Sequence, residues 1–195
     1  MSTSRTIARK AFIRLLLRNS LIAATWLPPI LFINTHVVTI AAVKGESMSP
    51  ALNPKVKTEK DLVLLDMWTI KGPLVELKTT EEPIGASPTY VAQSNIQRGD
   101  VVVLKSPMNP ENKLVKRVLA LEGDQVVTRP PYPRSTVRIP AGHVWVEGDE
   151  RFHSRDSNEY GPVSVGLITA RVACILWPFE RFGAVPKGGR LDYGV

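Results

Sequence analysis

Beyond residue 60 the apolar positions fall into short runs divided by glycine, proline and acidic turns. Residues 61–68 are rich in Val and Leu, and residues 100–104 follow a turn at Arg98-Gly99. Residues 114–121 end at Glu122-Gly123-Asp124, and residues 125–128, 137–139, 143–147 and 170–176 complete the set. Short strands at this spacing predict a mainly β domain, an all-β barrel or sandwich. No long amphipathic period competes with them, and no internal repeat is present. Residues 71–95 are polar and turn-rich, with Gly72-Pro73, Glu82-Pro83 and Ser87-Pro88, and read as a loop or insertion.

The opposite pattern stands at the front of the chain. Residues 21–43 lack Lys, Arg, Asp and Glu, and their 23 residues exceed the ~20 that a spanning helix needs. Pro28, Pro29, Asn34 and His36 interrupt the run, which a membrane helix tolerates when neighbours satisfy the freed backbone. The reading divides the chain into a basic segment 1–20, a single transmembrane anchor 21–43, a catalytic domain 44–182 and a tail 183–195. A secretory signal peptide is the competing reading, with Ala41-Ala42-Val43 as a weak cleavage site. Cleavage there would leave Ser47 almost at the new terminus.

Charge placement then changes what the basic balance means. The chain has 25 basic and 18 acidic residues, a net charge of +7. Arg5, Arg9, Lys10, Arg14 and Arg18 all precede the apolar run, and no acid occurs before Glu46. Without those five, 20 basic residues face 18 acidic ones, so the folded part has no surplus to form a nucleic-acid footprint. The five fit a positive flank retained on the side of entry, and the arginine-rich, acid-free stretch also has the composition of mitochondrial targeting. The sixteen prolines argue against a helical bundle. The single cysteine, Cys174, excludes an intrachain disulfide and reads as a small buried hydrophobe.

Three segments carry candidate chemistry. Gly45-Glu46-Ser47-Met48-Ser49-Pro50 is either a fixed irregular loop presenting a serine or a plain juxtamembrane turn. In residues 112–121, strand alternation places Leu114, Lys116, Val118 and Ala120 on one face and Lys113, Val115, Arg117 and Leu119 on the other. Lys116 is then the only charge on an apolar face. It either snorkels to the rim or is buried. An unperturbed lysine is neutral at pH 7 only about once in 2,500 molecules, and burial raises that fraction about tenfold per pKa unit. The third segment, residues 148–163, is dense in hydrogen-bonding groups. There Ser154 can bond the lysine amine and Asp156 can order its neighbours, or the whole is a polar surface turn.

A Ser-His-Asp arrangement has only His36, His143 and His153 to draw on. His153 lies among acids, but no nucleophile-elbow sequence accompanies it. Neither metal-ligand clustering nor a phosphate-cradling glycine loop is present, so no cofactor is expected.

Taken in order, these segments resemble the type I signal peptidase family. The resemblance rests on Ser47-Met48 beyond an apolar anchor, Arg98-Gly99-Asp100-Val101-Val102, Lys116-Arg117-Val118 with Glu122-Gly123-Asp124, Gly148-Asp149, Ser154-Arg155-Asp156-Ser157 and Gly161-Pro162-Val163. Residues 47–54, Ser106-Pro107-Met108-Asn109-Pro110, His143-Val144-Trp145-Val146-Glu147-Gly148-Asp149, Asp156-Ser157-Asn158 and Ile175-Leu176-Trp177-Pro178 are similar to its mitochondrial inner-membrane branch. The resemblance implies a β catalytic domain in the intermembrane space and a Ser/Lys dyad, with Ser47 as nucleophile and Lys116 as base. Ser154 and Asp156 fall on the family's supporting serine and aspartate. It further implies presequence-bearing precursors as substrates, cleaved after small residues, and a hetero-oligomer with a related catalytic subunit 1.

Some bacterial relatives carry a serine two positions before the nucleophile as an oxyanion donor, and Gly45 stands there in this chain. The backbone N–H of Ser47 is then the expected donor, and Met48, Leu114 and Val118 are the expected pocket walls. Three other readings stay open: a non-catalytic assembly subunit, a bacterial-type signal peptidase in a plasma membrane, and a His153-dependent hydrolase.

Overall fold

The computed structural model describes residues 19–20, 22–54, 60–70, 74–76, 90–92 and 95–188. The chain divides into two compact units, Met1–Val37 and Val38–Val195. In the described part of the first, an α-helix (α1, Leu27–Phe32) with proline in its opening turn continues as a π-helical stretch, Ile33–Val37. Proline is tolerated in that first turn because its missing N–H has no intrahelical partner to lose. Among the described residues, no helix is long and apolar enough to cross a membrane. Ile22, Trp26, Leu27, Ile30, Leu31, Phe32 and Ile33 are all exposed.

The apolar run 21–43 does not continue as helix to its end. Val38–Ala42 is a strand, β1, paired antiparallel with β2 (Leu62–Asp66), with Ile40 opposite Leu64. β-branched Val38, Thr39 and Ile40 favour the extended form once a partner strand is available. No count of apolar residues reveals that partner.

The second unit is mainly β. Its seven-stranded antiparallel sheet runs β1-β2-β11-β5-β6-β9-β10, where β5 is Val101–Lys105, β6 Lys113–Ala120, β9 His143–Glu147, β10 Val163–Ser164 and β11 Ile168–Trp177. Two hairpins stand beside it: β3 (Leu74–Glu76) with β4 (Tyr90–Ala92), and β7 (Gln125–Val127) with β8 (Thr136–Arg138). Every strand expected from the sequence is present, within a few residues of its predicted ends. Among the described residues the strand order runs from β1 to β10 in a curled antiparallel sheet. The hairpin β3-β4 lies within 71–95, the stretch read as a loop or insertion, while residues 71–73, 77–89 and 93–94 lie outside the described residues.

Both faces of the sheet's centre are covered. Val101 and Val103 enter a cluster with Val43, Met48, Leu52, Val63 and Ile175. Val102 and Leu104 enter another with Val118, Val144, Val146 and Ile168. This two-sided burial is why β5 reads as a continuous Val/Leu run and not as an alternation. Trp145, fully buried, organises a third cluster with Leu119, Val126 and Ile139 under the β7-β8 hairpin, and Tyr132 meets its ring edge-on. Cys174 is half-buried, opposite Leu64 on β11.

Candidate active site

The loop carrying Ser47 is held from below. Met48, Ala51 and Leu52 are buried, and Met48 and Leu52 anchor it in the first core cluster. The Asn53 side-chain amide donates to the carbonyls of Val43 and Gly45 at 3.0 and 3.1 Å. Asn53 adopts φ +50°, a left-handed conformation that asparagine accepts more readily than most residues. It also exchanges bonds with buried Asp61, its N–H to Oδ2 at 2.8 Å and its Oδ1 from Asp61 N at 2.9 Å. Arg181 closes the cluster by donating to Asp61 Oδ2 and to the Ala51 carbonyl. With the backbone fixed, the Ser47 carbonyl accepts from Glu150 N at 3.1 Å. Among the described residues, neither the Ser47 hydroxyl nor its N–H bonds another protein group. Beside it, a Cβ at Gly45 would meet nothing within 4 Å.

Lys116 lies opposite Val102 on β6 and is 2% exposed. Its Nζ donates to Ser154 Oγ at 2.9 Å, and Ser154 Oγ donates to Asp156 Oδ2 at 2.7 Å. Burial lowers the lysine pKa to about 8 against the opposing pull of the Asp156 and Asp149 carboxylates. At pH 7 roughly one lysine in ten is then neutral.

Asp156 serves two structures at once. Its Oδ1 caps the short helix α2 (Ser157–Tyr160), accepting from Asn158 N and Asn158 Nδ2, each at 3.1 Å. Its Oδ2 takes the Ser154 hydroxyl and, at 3.1 Å, Gly148 N. All four donors are neutral groups. Gly148 has no room for a side chain: a Cβ there would stand 2.3 Å from Ser154 Oγ and 2.5 Å from Ser47 O. Any other residue would separate the serine loop from the Lys116–Ser154–Asp156 chain. A small cavity of about 100 Å³ is lined by Gly148, Arg129, Arg151, Ser154, Asp156 and Glu159 among others.

The structure thus links Lys116, Ser154 and Asp156 by hydrogen bonds and sets the Ser47 backbone beside them across Gly148. No hydrogen bond joins Ser47 Oγ to Lys116 Nζ. Of the three expected pocket residues, Met48 (2% exposed) and Val118 (0%) are buried in different clusters, and only Leu114 keeps a partly exposed side chain. His153 is exposed in a 3-10 turn and has no hydrogen-bond partner among the described residues, so it builds no triad. His143 Nδ1 lies 2.9 Å from the Ala141 carbonyl, remote in chemistry from any serine-acid pair.

Alternation places Arg117 on the face opposite Lys116, and that face is covered as well. Arg117 is 3% exposed because both faces of β6 are covered from Lys116 onward. Its Nε and Nη2 grip Asp149 at 2.8 and 2.7 Å, and Nη1 donates to Gly99 O at 3.0 Å. A bidentate guanidinium–carboxylate pair is the geometry that makes such burial tolerable. Gly148-Asp149 and Lys116-Arg117 are the residues in the sequence that carry this pair, but periodicity does not say what covers each face. Arg117→Met leaves Asp149 buried without a counterion and is expected to cost about 3–5 kcal/mol of stability, measured by urea unfolding. A loss below ~1 kcal/mol would contradict the pair's structural role.

Comparison with known proteins places the chain in a family. A family model described as "Signal peptidase, peptidase S26" matches residues 13–130 and 128–177. The chain is 42% identical over 184 residues to the mitochondrial inner membrane protease subunit 2 of Schizosaccharomyces pombe, covering 94% of this chain and 89% of that one. It is 44% identical over 168 residues to the subunit 2 of Saccharomyces cerevisiae, covering 86% and 84%. The mouse mitochondrial inner membrane protease subunit 1 is 45% identical over 102 residues, covering 50% of this chain and 61% of that one. A solved signal peptidase I from Enterococcus faecalis V583 aligns at TM-score 0.35 and 22% identity over 40% of this chain and 97% of that chain, a likeness too slight to build on. The chain belongs to the signal peptidase family, peptidase S26, and is a serine endopeptidase of the signal peptidase type.

Proposed function

We propose that this endopeptidase removes sorting presequences at the mitochondrial inner membrane, with Ser47 as nucleophile and Lys116 as general base. The observation that carries the chemistry is the buried Lys116, bonded to Ser154 and held at a pKa of about 8. A surface lysine is neutral at pH 7 about once in 2,500 molecules, whereas about a tenth of this one is neutral there and able to accept a proton. Neutral Lys116 takes the Ser47 hydroxyl proton as Oγ attacks the scissile carbonyl. The unspent N–H of Ser47 faces the developing oxyanion. The lysine then protonates the leaving amine, and later takes a proton from the water that releases the acyl group. Ser154 and Asp156 position the amine, and Leu114 is the candidate pocket wall that reaches solvent.

The setting follows from the relatives and the first unit. The exposed apolar side chains between residues 22 and 33 suit contact with lipid. Because β1 begins at Val38, a single-pass anchor must end by residue 37. Counted from residue 21 it has about 17 residues, the short end of the spanning range. The five basic residues before it would stay on the matrix side and the peptidase domain would lie in the intermembrane space. By the same likeness the chain works beside a related subunit 1, in a hetero-oligomer acting on presequence-bearing precursors.

The pH profile tests the dyad directly. With a presequence peptide as substrate, kcat/KM should rise with pH through a midpoint near 8 and level off above it, because only the neutral lysine is a base. Asp156 raises the Lys116 pKa, so Asp156→Asn should move that midpoint to lower pH while reducing the plateau. A midpoint that stays in place or rises would remove Lys116 from the role.

A further inference from the structure

The segment after Phe182 is not a loose end. Gly183 exchanges backbone hydrogen bonds with Ile175 at 2.7 and 3.1 Å, and Val185 packs on the first core cluster. The chain then crosses the buried Arg117–Asp149 pair. The Pro186 carbonyl accepts from Arg117 Nη2 at 3.0 Å, across 69 residues of sequence. Gly188 follows at such close range that a Cβ there would stand 3.0 Å from Asp149 Oδ2 and 3.4 Å from Arg117 Nη2. These residues lie beyond residue 177, where the match to the family model ends.

The pair they cover sits between the two halves of the site. Arg117 is the neighbour of Lys116 on β6. Asp149 lies between Gly148, where a Cβ would collide with Ser47 O and Ser154, and Glu150, whose N–H holds the Ser47 carbonyl. Arg117 Nη2 has two acceptors, Asp149 Oδ2 and Pro186 O. Without the second, one buried N–H of a side chain that is 4% exposed loses its partner, and the carboxylate loses its cover.

We propose that residues 183–188 form a positioning strap of the active site, which clamps the Arg117–Asp149 pair and through it fixes β6 against the 148–150 turn. The inference rests on the reading of Ser47 and Lys116 as the reacting groups. The strap touches no reacting atom. It acts on the rate through geometry, because a misplacement of about 1 Å at a reacting pair can cost about a hundredfold.

The test compares three membrane-reconstituted chains on one presequence peptide: wild type, a chain ending at Gly188 and a chain ending at Val185. The Val185 chain keeps the Gly183–Ile175 bonds and the core contact but loses the part that covers the ion pair. With rates normalised to the folded fraction, the Gly188 chain should match wild type within about twofold. The Val185 chain should lose about ten- to a hundredfold in kcat with KM nearly unchanged. Full-length Gly188→Val, which pushes on Asp149 without removing anything, should show the same kcat-specific loss and serves if the Val185 chain does not fold. A strap that only adds stability would lower the thermal midpoint and leave kcat per folded enzyme within twofold of wild type, and that result would overturn the proposal. A Ser47→Ala chain run in parallel must be inactive. If it cleaves normally, the Ser47 reading fails and the strap falls with it.

Discussion

A chain carrying Ser47→Ala is expected to fold normally and to lose presequence cleavage almost completely. Ser47 Oγ makes no hydrogen bond among the described residues, so its removal strands no partner. The loop itself is held by Asn53, Asp61, Arg181 and Glu150, none of which depends on the serine hydroxyl. Stability should therefore change by no more than about 0.5 kcal/mol. Activity should fall on the scale seen when one member of a nucleophile–base unit is removed, about 10⁶-fold in kcat. The measurement is precursor cleavage in reconstituted membranes that lack the endogenous protein. It also separates the enzyme from an assembly subunit: a scaffold would restore processing with alanine at position 47, and only loss of the whole chain would abolish it. Normal processing by the Ser47→Ala chain would assign catalysis to a partner.

Lys116→Met should be almost as damaging, for a different reason. Methionine fills much of the volume of the lysine stem, so the buried strand keeps its packing. It leaves Ser154 Oγ without its amine donor, yet that hydroxyl still donates to Asp156. What disappears, on the proposed mechanism, is the base that takes the serine proton. Lys116→Arg should fail equally, because a guanidinium stays protonated at any working pH. The double variant Ser47→Ala/Lys116→Met should be no worse than either single one, since groups that act as a unit do not add. Single-turnover cleavage by folded protein is the readout. Activity within about tenfold of wild type in Lys116→Met would require another base.

The strands show which parts of the fold were legible. β5 to β9 and β11 were read from local patterning because each is a short apolar run bounded by turn residues. β1 was not: Val38–Ala42 is as apolar as the helix before it, and only pairing with β2 makes it a strand. The hairpin β3-β4 was hidden in a polar stretch for the same reason, its backbone satisfied by a partner 14 or more residues away. Alternation places Lys116 on an apolar face and Arg117 on the other, charged one, and both are buried. Period two tells faces apart and does not say whether a second layer covers the other face.

For the site, the sequence by itself determined the residue types and their order: a serine after an apolar run, a lysine on a strand, and a Ser-x-Asp segment near the end. Those are local properties, set by covalent spacing and by the intrinsic chemistry of each side chain. Only the tertiary structure decided that Lys116 is buried enough to lose its proton near pH 8, that Gly148 lets the serine loop approach Ser154, and that residues 183–188 close over Arg117 and Asp149. Desolvation, close approach and ion-pair cover all depend on which distant segments exclude water from a given atom, and sequence spacing does not encode that distance.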